Sequence, residues 1–167
     1  MQIRSERAGD VAAVRALNRM AFETTIEADL VDALRERADP TISLVADDGG
    51  SIVGHIMFSP VTLLGHEDLM IMGLAPMAVL PGQQRRGIGS ALVRAGLERC
   101  RQIGCHAVVV LGHAAYYPRF GFVPASRFDV GCEYDVPDEA FMALELQSGS
   151  LGGTSGTIRY HAAFANG

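Results

Sequence analysis

The segment Met70–Val93, MIMGLAPMAVLPGQQRRGIGSALV, constrains the fold more than any other part of the chain. An apolar run, Met70–Leu80, reads as a strand and ends at Pro81-Gly82. Pro76 sits inside it, so the strand is expected to be bulged or edge-like there. A helical pattern with Ile88, Leu92, Val93 and Leu97 on one side starts near Gly87 and stops at Gly104. The run AVVVL, Ala107–Leu111, follows as a buried strand. Strand, loop, helix and strand therefore succeed one another through the middle of the chain.

The flanking sequence supplies further elements. Residues 2–6 read as a short strand. Asp10 is placed to cap a helix carrying Val11, Val14, Leu17 and Phe22 on one side. A second helix runs from Glu27 to Arg37 and is broken by Asp39-Pro40. Two β-branched and apolar runs flank Asp47-Asp48-Gly49-Gly50, a hairpin signal. A short helix or turn covers Ala114–Phe120, and strands near Ala143–Leu146 and Thr157–Ala162 close the chain. The order is β, α, α, β, β, β, α, β, α, β, β, a mixed α/β domain. At 167 residues and 49% hydrophobic, the chain suffices for one compact domain spanning 1–167 with a sizeable core.

Composition removes several function classes. The net charge of −5 argues against general nucleic-acid affinity. No apolar run reaches the length of a membrane span, and the first ten residues lack the apolar core of a signal peptide. The cysteines, Cys100, Cys105 and Cys132, are odd in number and form no CxxC, which points to a reduced, cytoplasmic setting without a disulfide framework or zinc site. His66-Glu67-Asp68 is polar loop material without metal-ligand spacing, and no metal is expected. His55 lies in an apolar strand as a core or edge residue.

The turn between strand and helix is the most unusual local feature. Arg85 and Arg86 stand at a helix start, which already carries partial positive charge. Gly82 and Gly87 have P-loop spacing, but Ile88-Gly89 stand where Lys and Ser or Thr belong, so nothing reaches a terminal phosphate. A dinucleotide fingerprint needs a third glycine where Leu92 stands. Two readings stay open: an exposed basic loop capping an ordinary helix, or an anion site. In the second, Gly87 and Gly89 let an anion approach the backbone N–H groups, and the arginines add charge-assisted contacts. A helix-end charge interaction is worth roughly 0.3–1 kcal/mol when exposed. The ligand would therefore need a long body held elsewhere.

Gln84-Arg85-Arg86-Gly87-Ile88-Gly89 resembles the acyl-coenzyme A signature Q/R-x-x-G-x-G/A of the GNAT N-acetyltransferase superfamily. The segment GHAAYYPRFGF, Gly112–Phe122, is similar to that family's tyrosine segment. The two lie in the family's order, and the likeness is good over residues 2–125. It implies a mostly antiparallel, twisted central sheet splayed between its fourth and fifth strands and flanked by helices. It implies acetyl-coenzyme A as co-substrate, with the N–H groups from Gln84 and Arg85 through Arg86, Gly87, Ile88 and Gly89 to Ser90 around its pyrophosphate. The pantetheine arm would pair with Met77, Ala78 and Val79, and Phe120 and Phe122 would wall it or simply pack in the core.

The implied reaction is attack of a neutral amine on a thioester. Deprotonating a lysine-like amine at pH 7 costs roughly 4–5 kcal/mol, from a pKa of about 10.4. A base or a water chain would help. By position, Tyr117 corresponds to the family's general acid toward the leaving thiolate, and Tyr116 is expected in the core. Many relatives carry a carboxylate on the fourth or fifth strand. Gly73–Leu80 and Ala107–Leu111 hold none, so Glu23, Glu27 and His113 remain as base candidates, beside a water-mediated base. The acceptor side would comprise the first two helices, the loop 62–69 and the acidic segment Ser126–Asp138. The alternatives are a non-catalytic acyl-coenzyme A binding module and transfer of a larger acyl group. Exposed strand edges near the C-terminus would be covered in a homodimer.

Overall fold

The computed structural model describes residues 1–166. Among them the chain forms nine strands and three α-helices, joined in part by single 3-10 turns. The strands are β1 Gln2–Ser5, β2 Ile42–Asp48, β3 Ser51–Leu63, β4 Ile71–Val79, β5 Ala107–Leu111, β6 Val123–Pro124, β7 Val130–Cys132, β8 Phe141–Glu145 and β9 Gly156–Arg159. The helices are α1 Val11–Ala21, α2 Ile26–Arg37 and α3 Ile88–Gln102. No helix among the described residues is long and apolar enough to cross a membrane.

The described residues divide into two compact units, residues 1–59, 75–99 and 162–166, and residues 60–74 and 100–161. In the first, β1, β2 and β3 pair antiparallel, with Leu44 opposite both Ser5 and Ile56. Val14 of α1, Val31 and Leu34 of α2, Val45, Met57 and Ala163 make one core cluster. The opposite face of β3 receives α3: a Cβ at Gly54 would stand 2.9 Å from Ile88, and one at Gly96 would enter the Phe58 ring. Absent side chains at these two positions let the helix sit directly on the strand, which fixes where its N-terminus lies.

In the second unit β4 and β5 pair in parallel over Ile71–Gly73 and Ala107–Val109. β5 pairs antiparallel with β8, and β8 with β6. β9 joins the end of β3 antiparallel and β7 in parallel. Val108, Val109, Val110, Met142 and Ala143 are the buried middle of this unit.

The structure corrects three expectations and refines one. Asp10 is the N-cap residue of α1, as expected, but its side chain makes no bond to that helix. Its carboxylate takes Arg7 N–H at 2.7 Å and the Arg4 guanidinium at 2.7 and 3.0 Å, stronger partners than the helix offers. Phe22 lies beyond α1 as its extended C-cap. β6 and β7 are strands where none was expected. Tyr117, not Tyr116, is the buried tyrosine of its pair, because the 3-10 turn Tyr117–Phe120 directs it inward.

Candidate functional site

Met77, Ala78 and Val79 end β4, with Ala78 buried and its neighbours half-buried. Leu80 N–H still donates to Val53 O, so the strand's hold on β3 persists to the turn. Pro81–Gln83 form a single 3-10 turn closed by Gln83 N–H to Leu80 O. Gln84 Nε2 donates back to Val79 O, and Arg86 Nη1 to Gln83 Oε1 at 2.8 Å. These side-chain bonds stiffen a loop that has no core of its own.

Two residues of the loop take left-handed backbone: Arg85 has φ 64° and Gly87 φ 82°, directly ahead of α3. Left-handed residues in a turn let neighbouring N–H groups converge on one concave side. Among the described residues, no acceptor takes the N–H groups of Gln84, Arg85, Arg86, Gly87, Ile88 or Gly89. The first recorded helical bond is Ala91 N–H to Gly87 O. Free donors at the start of a long helix, joined by two exposed guanidiniums, are an anion cradle. A Cβ at Gly87 would meet nothing within 4 Å, so the concave side is open.

In the other unit, β5 ends at Leu111 and Gly112 N–H is held by Ala140 O. Tyr117 lies directly on Gly112, at a contact that leaves no room for a Cβ. Its ring packs edge-on against Tyr116 at 5.1 Å and Phe122 at 5.8 Å. Burial, with Tyr116 beside it, pushes the Tyr117 phenol up to about 12. Among the described residues no hydrogen bond is made by that hydroxyl. Half-buried Phe120 packs edge-on against Tyr116 at 5.3 Å.

The base candidates separate. Glu23 is exposed between α1 and α2, and Glu27 sits on the first turn of α2, where Thr24 Oγ1 donates to it at 3.3 Å. His113 is exposed, and its carbonyl accepts the Tyr116 and Tyr117 N–H groups that start the aromatic turn. The structure thus gathers the cradle residues in one unit with Glu23 and Glu27, and Tyr117, Phe120 and His113 in the other. Glu133, part of the acidic segment expected on the acceptor side, is exposed, and its carboxylate accepts Tyr160 N–H at 2.9 Å.

The arrangement has known counterparts. Residues 11–122 match the model of the acetyltransferase (GNAT) family. The chain is 41% identical over 165 residues to the Escherichia coli K12 protein described as an uncharacterized N-acetyltransferase, YhbS, covering 98% of each. It is 43% identical over 144 residues to a second such E. coli protein, YjhQ, covering 83% of this chain and 79% of that one. The crystal structure of E. coli YhbS in complex with CoA superposes with a TM-score of 0.92 at 38% identity, covering 98% of this chain and 91% of that one. A Brucella melitensis GNAT acetyltransferase in complex with acetyl-CoA gives 0.81 at 37%, covering 98% and 97%. With a family model over most of its length and relatives matched end to end, this chain belongs to the GNAT family of acetyltransferases.

Proposed function

We propose that this protein is a single-domain N-acetyltransferase that moves an acetyl group from acetyl-CoA to a primary amine by direct attack. The carrying observation is the row of unpartnered N–H groups from Gln84 to Gly89 at the head of α3. A pyrophosphate satisfies them, with Arg85 and Arg86 adding charge-assisted contacts. Met77, Ala78 and Val79 hold the pantetheine arm, with Phe120 as its wall. An intracellular setting accompanies this reading, and all three cysteines are free.

In this reading Tyr117 serves the leaving sulfur. A phenol near 12 stays protonated at any physiological pH, so it is always ready to donate. Full transfer to a thiolate of ordinary pKa, about 8.5, is uphill by roughly 5 kcal/mol. Tyr117 therefore acts first as a hydrogen-bond donor that spreads the thiolate's charge. The proton lost by the attacking nitrogen ends on that sulfur. Glu23, Glu27 and His113 are open to water, so removal of the amine proton through solvent is the simplest route consistent with strands that carry no carboxylate.

That missing carboxylate also favours, more weakly, an acyl-CoA binding module without turnover. Two measurements separate the readings. Thermal unfolding with acetyl-CoA, succinyl-CoA, CoA and ATP tests the cradle: a ligand at a hundred times its Kd adds about 2.7 kcal/mol. Coenzyme A release with a panel of amines tests turnover. The chain contains no lysine, so any acetyl-lysine formed with a peptide lies on the acceptor. A shift with CoA species and not ATP, together with thiol release, is the expected result. A shift without release for any amine leaves the binding module, and no shift with any CoA species discards both.

A further inference from the structure

The β5–β8 ladder runs one rung past its last paired residues. Leu111 is the partner of Phe141, and Gly112 N–H then donates to Ala140 O at 2.9 Å. Ala140 closes the 3-10 turn Asp138–Ala140, its own N–H donating to Pro137 O at 3.0 Å. Ser126 Oγ donates to Asp138 Oδ2 at 3.0 Å and ties that turn to the segment leaving β6. The Cα of Gly112 is therefore held from two sides, by β5 and by a turn that is itself latched.

The Tyr117 ring rests on that Cα. A Cβ at Gly112 would stand 3.0 Å from Tyr117 Cδ2, nearer still to Cε2, and 3.4 Å from Cζ, the carbon that bears the hydroxyl. Unlike Gly121, Gly112 is not left-handed, so a larger residue meets no backbone objection there, and the three nearest atoms all belong to Tyr117. The conflict is with the ring alone. On other sides the ring stands edge-on to Tyr116 at 81° and to Phe122 at 75°. The residue is only 8% exposed. Its oxygen, however, has no partner among the described residues and is not sealed from solvent. A fixed ring thus carries a hydroxyl left free for a ligand. Gly54 and Gly96 also stand against side chains, but those are the apolar Ile88 and Phe58, whose placement carries no chemistry.

We propose that Gly112 is a positioning residue for the Tyr117 phenol: its bare Cα, held by Ala140 and the latched turn, sets where the hydroxyl stands. The inference rests on the acyl-transfer reading, in which that hydroxyl serves the leaving sulfur. A hydrogen bond weakens steeply with misalignment. A displacement of about 1 Å can cost on the order of a hundred-fold in rate. A methyl in place of the Gly112 hydrogen presses on Cδ2 and Cε2, tilts the ring and carries the oxygen with it. The rate then suffers through the hydroxyl and not through the fold.

The test is a cycle in which only the hydroxyl differs. Gly112→Ala is made in the unmodified protein and in Tyr117→Phe, so that the same ring meets the same methyl in both. The kcat for thiol release from acetyl-CoA with an accepted amine falls at least about ten-fold in the first. It falls less than about two-fold in the second, because the group that was displaced is already gone. The acetyl-CoA thermal shift keeps its size in both. Asp138→Ala, at an exposed position, loosens the latch without crowding the ring. Should Gly112→Ala not fold, this variant carries the same cycle, with a loss of about three-fold where the hydroxyl is present. In the variant that folds, an equal loss in both backgrounds, or no loss where the hydroxyl is present, overturns the proposal. Ring-13C tyrosine spectra give a second reading that needs neither CoA nor amine: the Tyr117 signal moves, and those of Tyr134 and Tyr160 stay. An unmoved Tyr117 signal beside normal thiol release removes the positioning role alone. A moved signal in a protein whose unmodified form releases no thiol with any amine removes the acyl-transfer reading and leaves the placement of the ring by Gly112 standing.

Discussion

Residue identity acts most sharply at Tyr117 and Gly87. Tyr117 brings a phenol into an apolar aromatic nest where its hydroxyl finds no protein partner. Unlike Asn18 Oδ1 and Ser59 Oγ, that oxygen is not sealed from solvent, so removing it costs the fold little. Tyr117→Phe should therefore leave the unfolding midpoint unchanged or slightly raised. It should also lower turnover by about a hundred-fold or more if the phenol stabilises the leaving thiolate. Steady-state thiol release measures the second, and the acetyl-CoA thermal shift, which should be unaltered, shows that binding survives. Unchanged turnover removes Tyr117 from the mechanism. Gly87 is constrained by backbone alone: its φ is 82° and nothing crowds a Cβ there. Gly87→Ala should cost about 1–2 kcal/mol from the left-handed conformation, read by urea unfolding. It should also reduce the acetyl-CoA shift, since the new methyl stands on the open side of the cradle. A full-sized shift in that variant places the anion elsewhere.

Among the elements, α3 shows how much of the site was written locally. Its start, its apolar side and its stop at Gly104 all follow from spacing, and the observed helix, Ile88–Gln102, departs by a residue or two. β2 and β3 were legible because a strong turn signal separates two runs of apolar and β-branched residues. β6 and β7 were not, because Val123–Pro124 and Val130–Cys132 are too short for any period to register. They exist through pairing with β8 and β9, a non-local cause. The choice between Tyr116 and Tyr117 was hidden for a related reason: in a single 3-10 turn, direction is set by what it lands on, here Gly112. Gly96 makes the same point within α3. No spacing rule marks it, yet it is where the Phe58 ring enters the helix face. Gly96→Ala should gain helix propensity of about 1 kcal/mol and lose more to overpacking, typically 1–3 kcal/mol. Net destabilisation, with a weakened acetyl-CoA shift as the helix head is displaced, is the expected outcome in paired thermal melts. A stabilised protein with normal binding shows that Phe58 yields freely.

At the scale of the whole molecule, a polar chain is threaded through the apolar interior of the first unit. Asn18 Nδ2 donates to Val14 O and lies 3.4 Å from His55 Nδ1, His55 Nε2 lies 2.8 Å from Ser43 Oγ, and Ser43 Oγ donates to Glu6 at 3.0 Å. Arg35 holds Glu6 through two bonds and reaches Asp32, which Arg15 also grips. With Nδ1 accepting and Nε2–H donating, neutral His55 satisfies every link, and protonation would break the one to Asn18. Burial, and the Arg35 charge behind it, hold His55 down at about 3. In the unfolded chain a histidine titrates near 6.5. Between these values the unfolded state binds the proton and the folded state does not, so stability rises with pH. The contribution is complete above about 6.5 and is lost as pH falls toward 3, to a limit of roughly 4–5 kcal/mol. Asp10, held down to about 2 chiefly by Arg4, adds its loss only below the usual carboxylate range. Urea unfolding at pH 7, 5.5 and 4.5 should therefore show the midpoint falling well before the carboxylates titrate. His55→Gln keeps an acceptor for Asn18 and a donor for Ser43 but has no proton to gain, so its midpoint should be nearly flat across the same range, even if lower at pH 7. Parallel slopes in the two proteins would move the acid sensitivity away from this interior chain and onto the surface.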